Sequence, residues 1–223
     1  MVQLLYIILL IIPSLQIDQS KTIIIFFSRA GENYNVGTVD IGNTEMIVNY
    51  LKEATNITAI YKIIPETPYP ESYDETKKLA NQEKSSNSRP KIKDPLTDIS
   101  KYDTILLGYP IWHSNLPNIV INQLELLDFE GKTIYPFNTH GGSGKGNSIS
   151  DIKNAAPKAN VKDGFPLKGS YARKTESHED IKKWLNEELN INVTKEVSNE
   201  EINDGIEYLK KSMILILLAF LLI

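Results

Sequence analysis

The chain has 223 residues, with 24 Lys and Arg against 28 Asp and Glu, so its formal net charge is −4. This mild acidity excludes the basic surface that nucleic-acid-binding proteins present. Because the sequence has no cysteine, disulfides, thiolate catalysis, cysteine-ligated zinc and iron–sulfur clusters are also excluded. The length favours one domain of moderate size.

Both ends of the chain carry an apolar run. Residues 4–12 form a nine-residue run that ends before Pro13, which is short for a membrane span but typical of a signal-peptide core. Residues 213–223 form an eleven-residue run after a polar spacer, a pattern similar to a GPI-attachment signal. We interpret residues 1–20 as a signal peptide or N-terminal anchor and expect a membrane-associated protein of the secretory pathway, held by a GPI or tail anchor. The open alternative is that either run is a core element.

Between these ends, short apolar runs alternate with amphipathic segments. The strands are predicted at residues 23–27, 57–64, 104–108, 133–137 and 165–168. The helices are predicted at residues 44–54, 73–84, 117–127, 148–156 and 177–189. Such alternation predicts a doubly wound α/β domain of three layers over residues 21–189, with a five-stranded parallel sheet in the order 2-1-3-4-5. A polar stalk (190–212) would join it to the C-terminal tail.

Three local signals add detail to these elements. Pro136 interrupts the fourth strand and predicts a bulge or a strand end. Ser148 with Asp151, and Ser177 with Asp180, have the spacing of capping boxes that begin helices.

The loop after the first strand predicts an anion site. It begins at Ser28 and Arg29, and it enters the next helix through Gly42, Asn43 and Thr44. The first backbone N–H groups of a helix lack intrahelical partners, and the helix dipole favours negative charge there. Hydroxyls at Ser28 and Thr44 are further donors. The loop therefore predicts a phosphate-bearing ligand, although both hydroxyls are also ordinary helix caps.

Two later loops of unusual composition follow strands 3 and 4, which neighbour strand 1 in the predicted order. The carboxyl ends of these strands share one edge of the sheet, so the three loops converge. The loop at residues 109–117 offers Trp112 beside a rigid Pro-Ile corner, and the glycine-dense loop at 138–146 offers close backbone approach to a flat ligand. Together these features indicate a site for flavin mononucleotide (FMN). Taken singly, Trp112 is also explained by packing, His140 by a turn, and Tyr34 by pinning the long first loop.

Three ordered motifs now carry a resemblance to a family. The runs FSRAGENY…GNTE, GYPIWHSNLP and GKTIYPFNTHGGSGKGNS resemble a subgroup of the flavodoxin family over residues 21–189. With no cysteine and only three histidines, we expect no metal site. The resemblance implies a flavodoxin-like fold with non-covalent FMN. It places the phosphate at Ser28, Arg29, Asn43 and Thr44. It places the flavin ring against Pro110, Ile111, Trp112 and His113, and ring-edge and ribityl contacts at Thr139, His140, Gly141, Gly142, Ser143 and Gly144.

Two departures from the family pattern concern the site. Ordinary flavodoxins close the phosphate loop in a T-x-T-G-x-T run, whereas here residues 31–42 separate the two halves of the loop as a lid or an insertion. The second aromatic that often sandwiches the ring is not evident after strand 4, where His140 or His113 is the expected substitute.

The resemblance implies electron transfer or a flavin-dependent oxidoreductase, with a redox partner protein or a small-molecule electron acceptor. One alternative is an NAD(P)H-dependent reductase, although no separate dinucleotide fingerprint is present. Another is a non-redox surface protein that keeps the fold with a degenerate site. The intact Ser28, Thr44, Trp112 and glycine loop argue against that second alternative.

Overall fold

The computed structural model describes residues 17–191 and residue 193. Most of the predicted N-terminal signal or anchor, most of the polar stalk, and the whole apolar tail lie outside these residues and stay predictions. Within the part of the chain that is described, no helix combines the length and the hydropathy needed to cross a membrane.

The elements follow the predicted alternation, with three small additions. The strands are β1 (Thr22–Phe26), β2 (Gly31–Asn33), β3 (Gly37–Val39), β4 (Ala59–Lys62), β5 (Ile64–Pro65), β6 (Ile92–Lys93), β7 (Thr104–Pro110), β8 (Thr133–His140), β9 (Asn160–Val161) and β10 (Phe165–Lys168). The α-helices are α1 (Asn43–Ala54), α2 (Tyr73–Ser86), α3 (Asn118–Glu125), α4 (Ser148–Ala155) and α5 (Ser177–Leu189). The additions are two antiparallel pairs, β2 with β3 and β5 with β6, and the short strand β9, which pairs with β8.

The main sheet is parallel and has the order β4-β1-β7-β8, with the fifth position shared by β9 and β10. Ile24 of β1 lies in register between Ile60 of β4 and Leu106 of β7. This arrangement confirms the predicted order 2-1-3-4-5. The carboxyl ends of β1, β7 and β8 are therefore adjacent at one edge of the sheet.

Helices cover both faces of the sheet, which explains the uninterrupted isoleucine run of β1. All five residues of β1 are buried. Alternate residues such as Ile25 and Leu107 belong to a core cluster with Val120 of α3 and Ile152 of α4. On the other face, α1 contacts β1, β7 and α5. The three-layer prediction is confirmed.

The prediction that Pro136 marks a bulge or a strand end was wrong. Pro136 lies inside β8, in register with Leu107. The amide of Lys162 donates to the carbonyl of Ile134 (2.9 Å), so the backbone polar groups of Ile134 point towards the fifth position of the sheet. Backbone groups two residues further along a strand point the same way, so the nitrogen of Pro136 also faces the fifth position. The fifth strand is broken between Val161 and Phe165, opposite this proline. The missing N–H of Pro136 therefore faces the break and removes no ladder bond.

The two predicted capping boxes were also wrong. Ser148 is the first residue of α4, and its hydroxyl donates to the carbonyl of Lys145 (2.7 Å). Ser177 likewise lies inside α5, and its hydroxyl donates to the carbonyl of Lys174 (2.8 Å). Each serine thus sits one residue inside its helix and bonds back to the preceding turn instead of capping.

Candidate functional site

A cavity of about 430 Å³ opens at the carboxyl ends of β1, β7 and β8. Its volume is in the range of small-molecule sites, roughly 300–1,000 Å³. The predicted site residues that line it are Arg29, Asn43, Pro110, Ile111, Trp112, His113, Thr139, His140, Gly141, Gly142 and Ser143. Three predicted residues, Ser28, Thr44 and Gly144, are not among the residues that line it. The expected convergence of the three loops is confirmed.

The N-terminus of α1 forms one end of the cavity. The hydroxyl of Ser28 accepts a hydrogen bond from the backbone amide of Glu45 (3.1 Å) and so caps the helix from the preceding loop. The amides of Asn43 and Thr44 have no acceptor among the described residues. Two free N–H groups at the start of a twelve-residue helix, beside a serine hydroxyl that can still donate, are suited to an anion.

Gly42 makes this approach of loop and helix possible. A Cβ at residue 42 would lie 2.3 Å from the Ser28 hydroxyl oxygen and 2.4 Å from the carbonyl oxygen of Arg29. Neither distance is sterically allowed, and the second contact is to backbone. Any side chain here would push the loop away from the free amides of α1.

The side chain of Arg29 is engaged by backbone carbonyls. Its guanidinium donates to the carbonyls of Pro70 (2.9 Å), Glu71 (3.2 Å) and Glu32. This fork joins the segment before α2 to strand β2. A contact from the Arg29 side chain to phosphate stays a prediction, whereas its role in holding these two segments together is seen directly.

A buried hydrogen bond joins the first turn of α1 to the end of β8. The hydroxyls of Thr44 and Thr139 are 2.9 Å apart, and both residues are almost fully buried. Next to it, Arg173 donates to the Asn43 side-chain oxygen (3.3 Å) and to the carbonyl of Ile41 (2.8 Å). Arg173 fixes the orientation of Asn43, and no motif in the sequence identified it.

The loop after β7 is a tight turn held from two sides. Trp112 and Asn115 form a short antiparallel bridge, and both residues between them, His113 and Ser114, have positive φ angles of 47° and 62°. Two successive left-handed residues are the pattern of a type I′ turn. The ammonium of Lys84 donates to the carbonyl of His113 (3.1 Å), which holds the turn against α2.

Trp112 packs against the core and also lines the cavity. Its ring meets Phe27 edge-on, with centroids 5.4 Å apart, and meets Tyr69 in the same way at 4.8 Å. The hydroxyl of Tyr69 donates to the carboxylate of Glu83 (3.1 Å), whose pKa is raised by burial. Packing and cavity lining are therefore not alternatives for this residue.

The end of β8 brings a buried imidazole atom to the cavity. His140 Nδ1 is buried and has no hydrogen-bond partner in the described part of the chain. Burial, and secondarily the charge of Lys168, lower the pKa of His140, so the ring is neutral at neutral pH. Buried polar atoms in native structures usually have partners, so an unpartnered one beside a cavity fits a ligand contact.

One side of the cavity was not predicted from the sequence. Helix α2, expected to be a plain surface helix, lines the cavity with Tyr73, Thr76, Lys77 and Ala80 at helical spacing. These residues mix polar and apolar types, so no hydrophobic stripe marked them. The Nε2–H of His113 donates to the carbonyl of Lys77 (2.7 Å).

The long segment after β1 is a β-hairpin, β2–β3, whose turn lies beside the cavity. Asn33 and Tyr34 line the cavity from this hairpin. The only earlier signal for Tyr34 was its place in an unusually long loop. The segment therefore has regular secondary structure and lies at the site.

Comparisons with known proteins agree with this fold. A family model described as flavodoxin matches residues 36–188. A candidate flavoprotein from Bacteroides uniformis is 29% identical, with a TM-score of 0.61 over 75% of this chain and 99% of its own. A second, from Bacteroides eggerthii, is 30% identical, with a TM-score of 0.59 over 75% of this chain and 96% of its own.

A flavoprotein of Lactobacillus acidophilus, solved in complex with FMN, is 20% identical, with a TM-score of 0.51 over 68% of this chain and 95% of its own. At that identity it shows a shared fold. No curated protein matches the chain. The family model covers well over half of the chain, and the sheet has the expected strand order: the chain belongs to the flavodoxin family.

Proposed function

We propose that the protein binds one FMN non-covalently in the strand-end cavity and acts as a redox protein. In this proposal it passes electrons between the flavin and a redox partner protein or a small-molecule acceptor. The observation that carries the proposal is the convergence of three strand-end loops and the free N-terminus of α1 on one cavity. Membership of the flavodoxin family and the FMN complex of the Lactobacillus flavoprotein support it.

The phosphate of FMN would be held at the N-terminus of α1. The two free amides of Asn43 and Thr44 and the Ser28 hydroxyl are donors in one place. The helix dipole adds favourable charge for a dianion. The buried Thr44–Thr139 bond keeps this end aligned with the end of β8.

The flavin ring would be held by the other two loops. Pro110, Ile111 and Trp112 offer a stiff, largely apolar wall, because the type I′ turn and the core contacts of Trp112 fix their positions. Gly141 and Gly142 expose backbone without side chains, which allows close approach to a flat ligand. The unpartnered Nδ1 of His140 would hydrogen-bond the bound ligand.

The residues therefore fit FMN at both ends. When bound, the flavin supplies the redox chemistry, and the protein controls its orientation and the polarity around it. The neutral imidazole of His140 adds no charge to the cavity, and the edge-on contact of Trp112 with Tyr69 gives the cavity an aromatic wall.

The test uses the full-length protein, purified and stripped of flavin. After incubation with FMN and desalting, we expect one equivalent of flavin to stay with the protein, seen by its visible absorbance. Free flavin in the small-molecule fraction alone would refute the proposal and would favour the non-redox alternative.

Anaerobic addition of NADPH to the flavin-loaded protein separates a reductase from a carrier. We expect no direct bleaching without a partner protein, because no dinucleotide fingerprint is present in the sequence. Rapid bleaching would replace the carrier proposal with a reductase.

A further inference from the structure

Tyr34 is an aromatic residue whose position the three predicted loops do not explain. It follows strand β2 at the turn of the hairpin, and its side chain is 54% exposed. A Cβ built on Gly141 would lie 2.6 Å from Tyr34 Cδ1 and 3.3 Å from Cε1. The Tyr34 ring therefore rests directly on the backbone of the loop after β8. Only a glycine at residue 141 leaves room for it.

The same ring also reaches the opposite side of the cavity. Its centroid is 5.8 Å from that of Tyr73, the first residue of α2, at an interplanar angle of 35°. Both tyrosines line the cavity. Tyr34 thus spans from the loop after β8 to the N-terminus of α2, across the cavity rim.

The base of the hairpin is fixed to α2, which holds Tyr34 in this place. The amide of Glu32 donates to the carbonyl of Glu71 (2.8 Å), and the carboxylate of Glu32 accepts the amide of Tyr73 (3.0 Å). The Arg29 guanidinium ties the carbonyls of Pro70, Glu71 and Glu32 together. Residue 31 must be glycine, because its φ is +83° and a Cβ would lie 2.8 Å from the Glu71 carbonyl oxygen.

The loop after β8 has no aromatic residue of its own. Beyond His140 its cavity-lining residues are Gly141, Gly142 and Ser143, which leave the ligand uncovered on that side. We propose that Tyr34 supplies the missing aromatic contact to the flavin ring, delivered by the hairpin instead of by the loop after β8, and that Arg29 is the positioning residue that anchors this hairpin. This inference rests on the proposed FMN site and adds to it a residue that selects for the flat ring of the ligand.

A ring contact and a phosphate contact make different predictions for two flavins. Riboflavin has the same ring as FMN but no phosphate. Loss of a ring contact must weaken both flavins by the same factor, whereas loss of a phosphate contact must weaken FMN alone. The ratio of the two dissociation constants therefore reports which end of the ligand a residue serves.

The experiment titrates full-length protein with FMN and with riboflavin, following flavin fluorescence and the visible circular dichroism of the bound ring. Wild type is compared with Tyr34→Ala, Tyr34→Phe and Thr38→Ala. Thr38 is exposed on the other strand of the same hairpin and does not line the cavity, so it is the matched control.

For Tyr34→Ala we expect both dissociation constants to rise about tenfold, with their ratio unchanged and the visible dichroism altered. Tyr34→Phe keeps the ring, and Thr38→Ala leaves the site untouched, so both should stay within about twofold of wild type. Arg29→Lys keeps the charge but lacks the planar guanidinium fork that holds the carbonyls of Pro70, Glu71 and Glu32, so it should weaken both flavins together.

The inference is overturned if Tyr34→Ala binds both flavins like wild type with unchanged dichroism, or if it weakens FMN alone. If Arg29→Lys loses affinity for FMN but not for riboflavin, Arg29 contacts the phosphate instead of positioning the hairpin. A wild type that binds neither flavin would overturn the proposed function as well, so the two failures are distinguishable. Far-ultraviolet circular dichroism checks that each variant is folded.

Discussion

The two ends of the cavity are built in different ways. The end at α1 consists of backbone amides and short hydroxyl side chains, almost all of them buried. A hydrogen bond between Thr44 and Thr139 joins this end to the end of β8. The other end consists of large aromatic side chains, some packed into the core like Trp112 and some more than half exposed like Tyr34. The first end can recognise charge and the second can recognise a flat surface. A ligand that carries an anionic group and a flat aromatic ring, as the proposed FMN does, would suit both ends.

The largest expected effect comes from the aromatic end. Trp112→Ala removes a ring that contacts Phe27, Tyr69 and the cavity. Truncation of a fully buried aromatic costs about 3–5 kcal/mol; because Trp112 is only half-buried, we expect the free energy of unfolding to fall by about 2–3 kcal/mol. Binding of FMN and riboflavin should weaken together by tenfold or more. Urea unfolding and fluorescence titration measure the two effects.

Trp112→Phe is the control, since it keeps an aromatic ring at the same place and should recover most of the stability. If Trp112→Ala unfolds at the wild-type urea concentration, the ring does not join the core to the site in the way the contacts indicate.

The next effect concerns the backbone at the phosphate end. Gly42→Ala forces apart the Ser28–Arg29 loop and α1, at a cost of about 1–3 kcal/mol in unfolding free energy. We expect FMN affinity to fall about tenfold or more and riboflavin affinity to change much less, because the displaced groups serve the phosphate. Isothermal titration with both flavins gives the ratio.

Gly37→Ala is the control for a destabilising glycine substitution away from the phosphate end. Its φ is +87° but the space around it is open, so it strains the hairpin without touching the loop. The ratio of its dissociation constants for FMN and riboflavin should equal that of wild type. A Gly42→Ala protein with that same ratio would contradict the assignment of this end to phosphate.

A smaller effect is expected for the buried hydroxyl pair. Thr44→Val keeps the shape of the side chain and leaves the buried Thr139 hydroxyl without its partner. An unpaired buried polar group costs about 1–2 kcal/mol, so the urea midpoint of the flavin-free protein should fall. The same change at exposed Thr38 should stay within about 0.5 kcal/mol of wild type. Equal midpoints for the two variants would refute a structural role for the pair.

The smallest effect is a pH dependence from His140. Burial lowers the pKa of this imidazole in the folded protein below its value in the unfolded chain, about 6.5. The unfolded chain therefore binds a proton first as the pH falls, so stability is lost as the pH falls from about 6.5 towards the folded pKa. His140→Gln removes the group, and we expect a flatter profile of urea midpoint against pH in this window. Parallel profiles for wild type and His140→Gln would contradict a contribution of His140 to the pH dependence of stability.

The sheet was predictable because its signal is periodic. Five short apolar runs separated by helical segments define the strand order, and the three loops at adjacent strand ends follow from that order. Local details failed where tertiary contacts override local preference. Pro136 is accommodated because the neighbouring strand, which is distant in sequence, breaks opposite it. The Ser148 hydroxyl donates to the nearby carbonyl of Lys145 and accepts a hydrogen bond from the hydroxyl of Tyr109 (3.0 Å), which is distant in sequence, instead of capping its helix.

The candidate site was also predictable only in part. The residues in the three loops were identified because their motifs are contiguous and stand at strand ends. Tyr73 and Lys77 were missed because a helix face of mixed polarity has no pattern that distinguishes a cavity wall from a solvated surface. Arg173 reaches Asn43 across 130 positions, and nothing local marks such a contact.

The most direct test of the account follows the backbone amides of Asn43 and Thr44 by nuclear magnetic resonance in isotope-labelled full-length protein. If the phosphate of FMN lies at the N-terminus of α1, both amide signals should shift strongly on addition of FMN and much less with riboflavin, while Trp112 and Gly141 shift with both. Equal shifts of Asn43 and Thr44 with the two flavins, or none with either, would contradict the account.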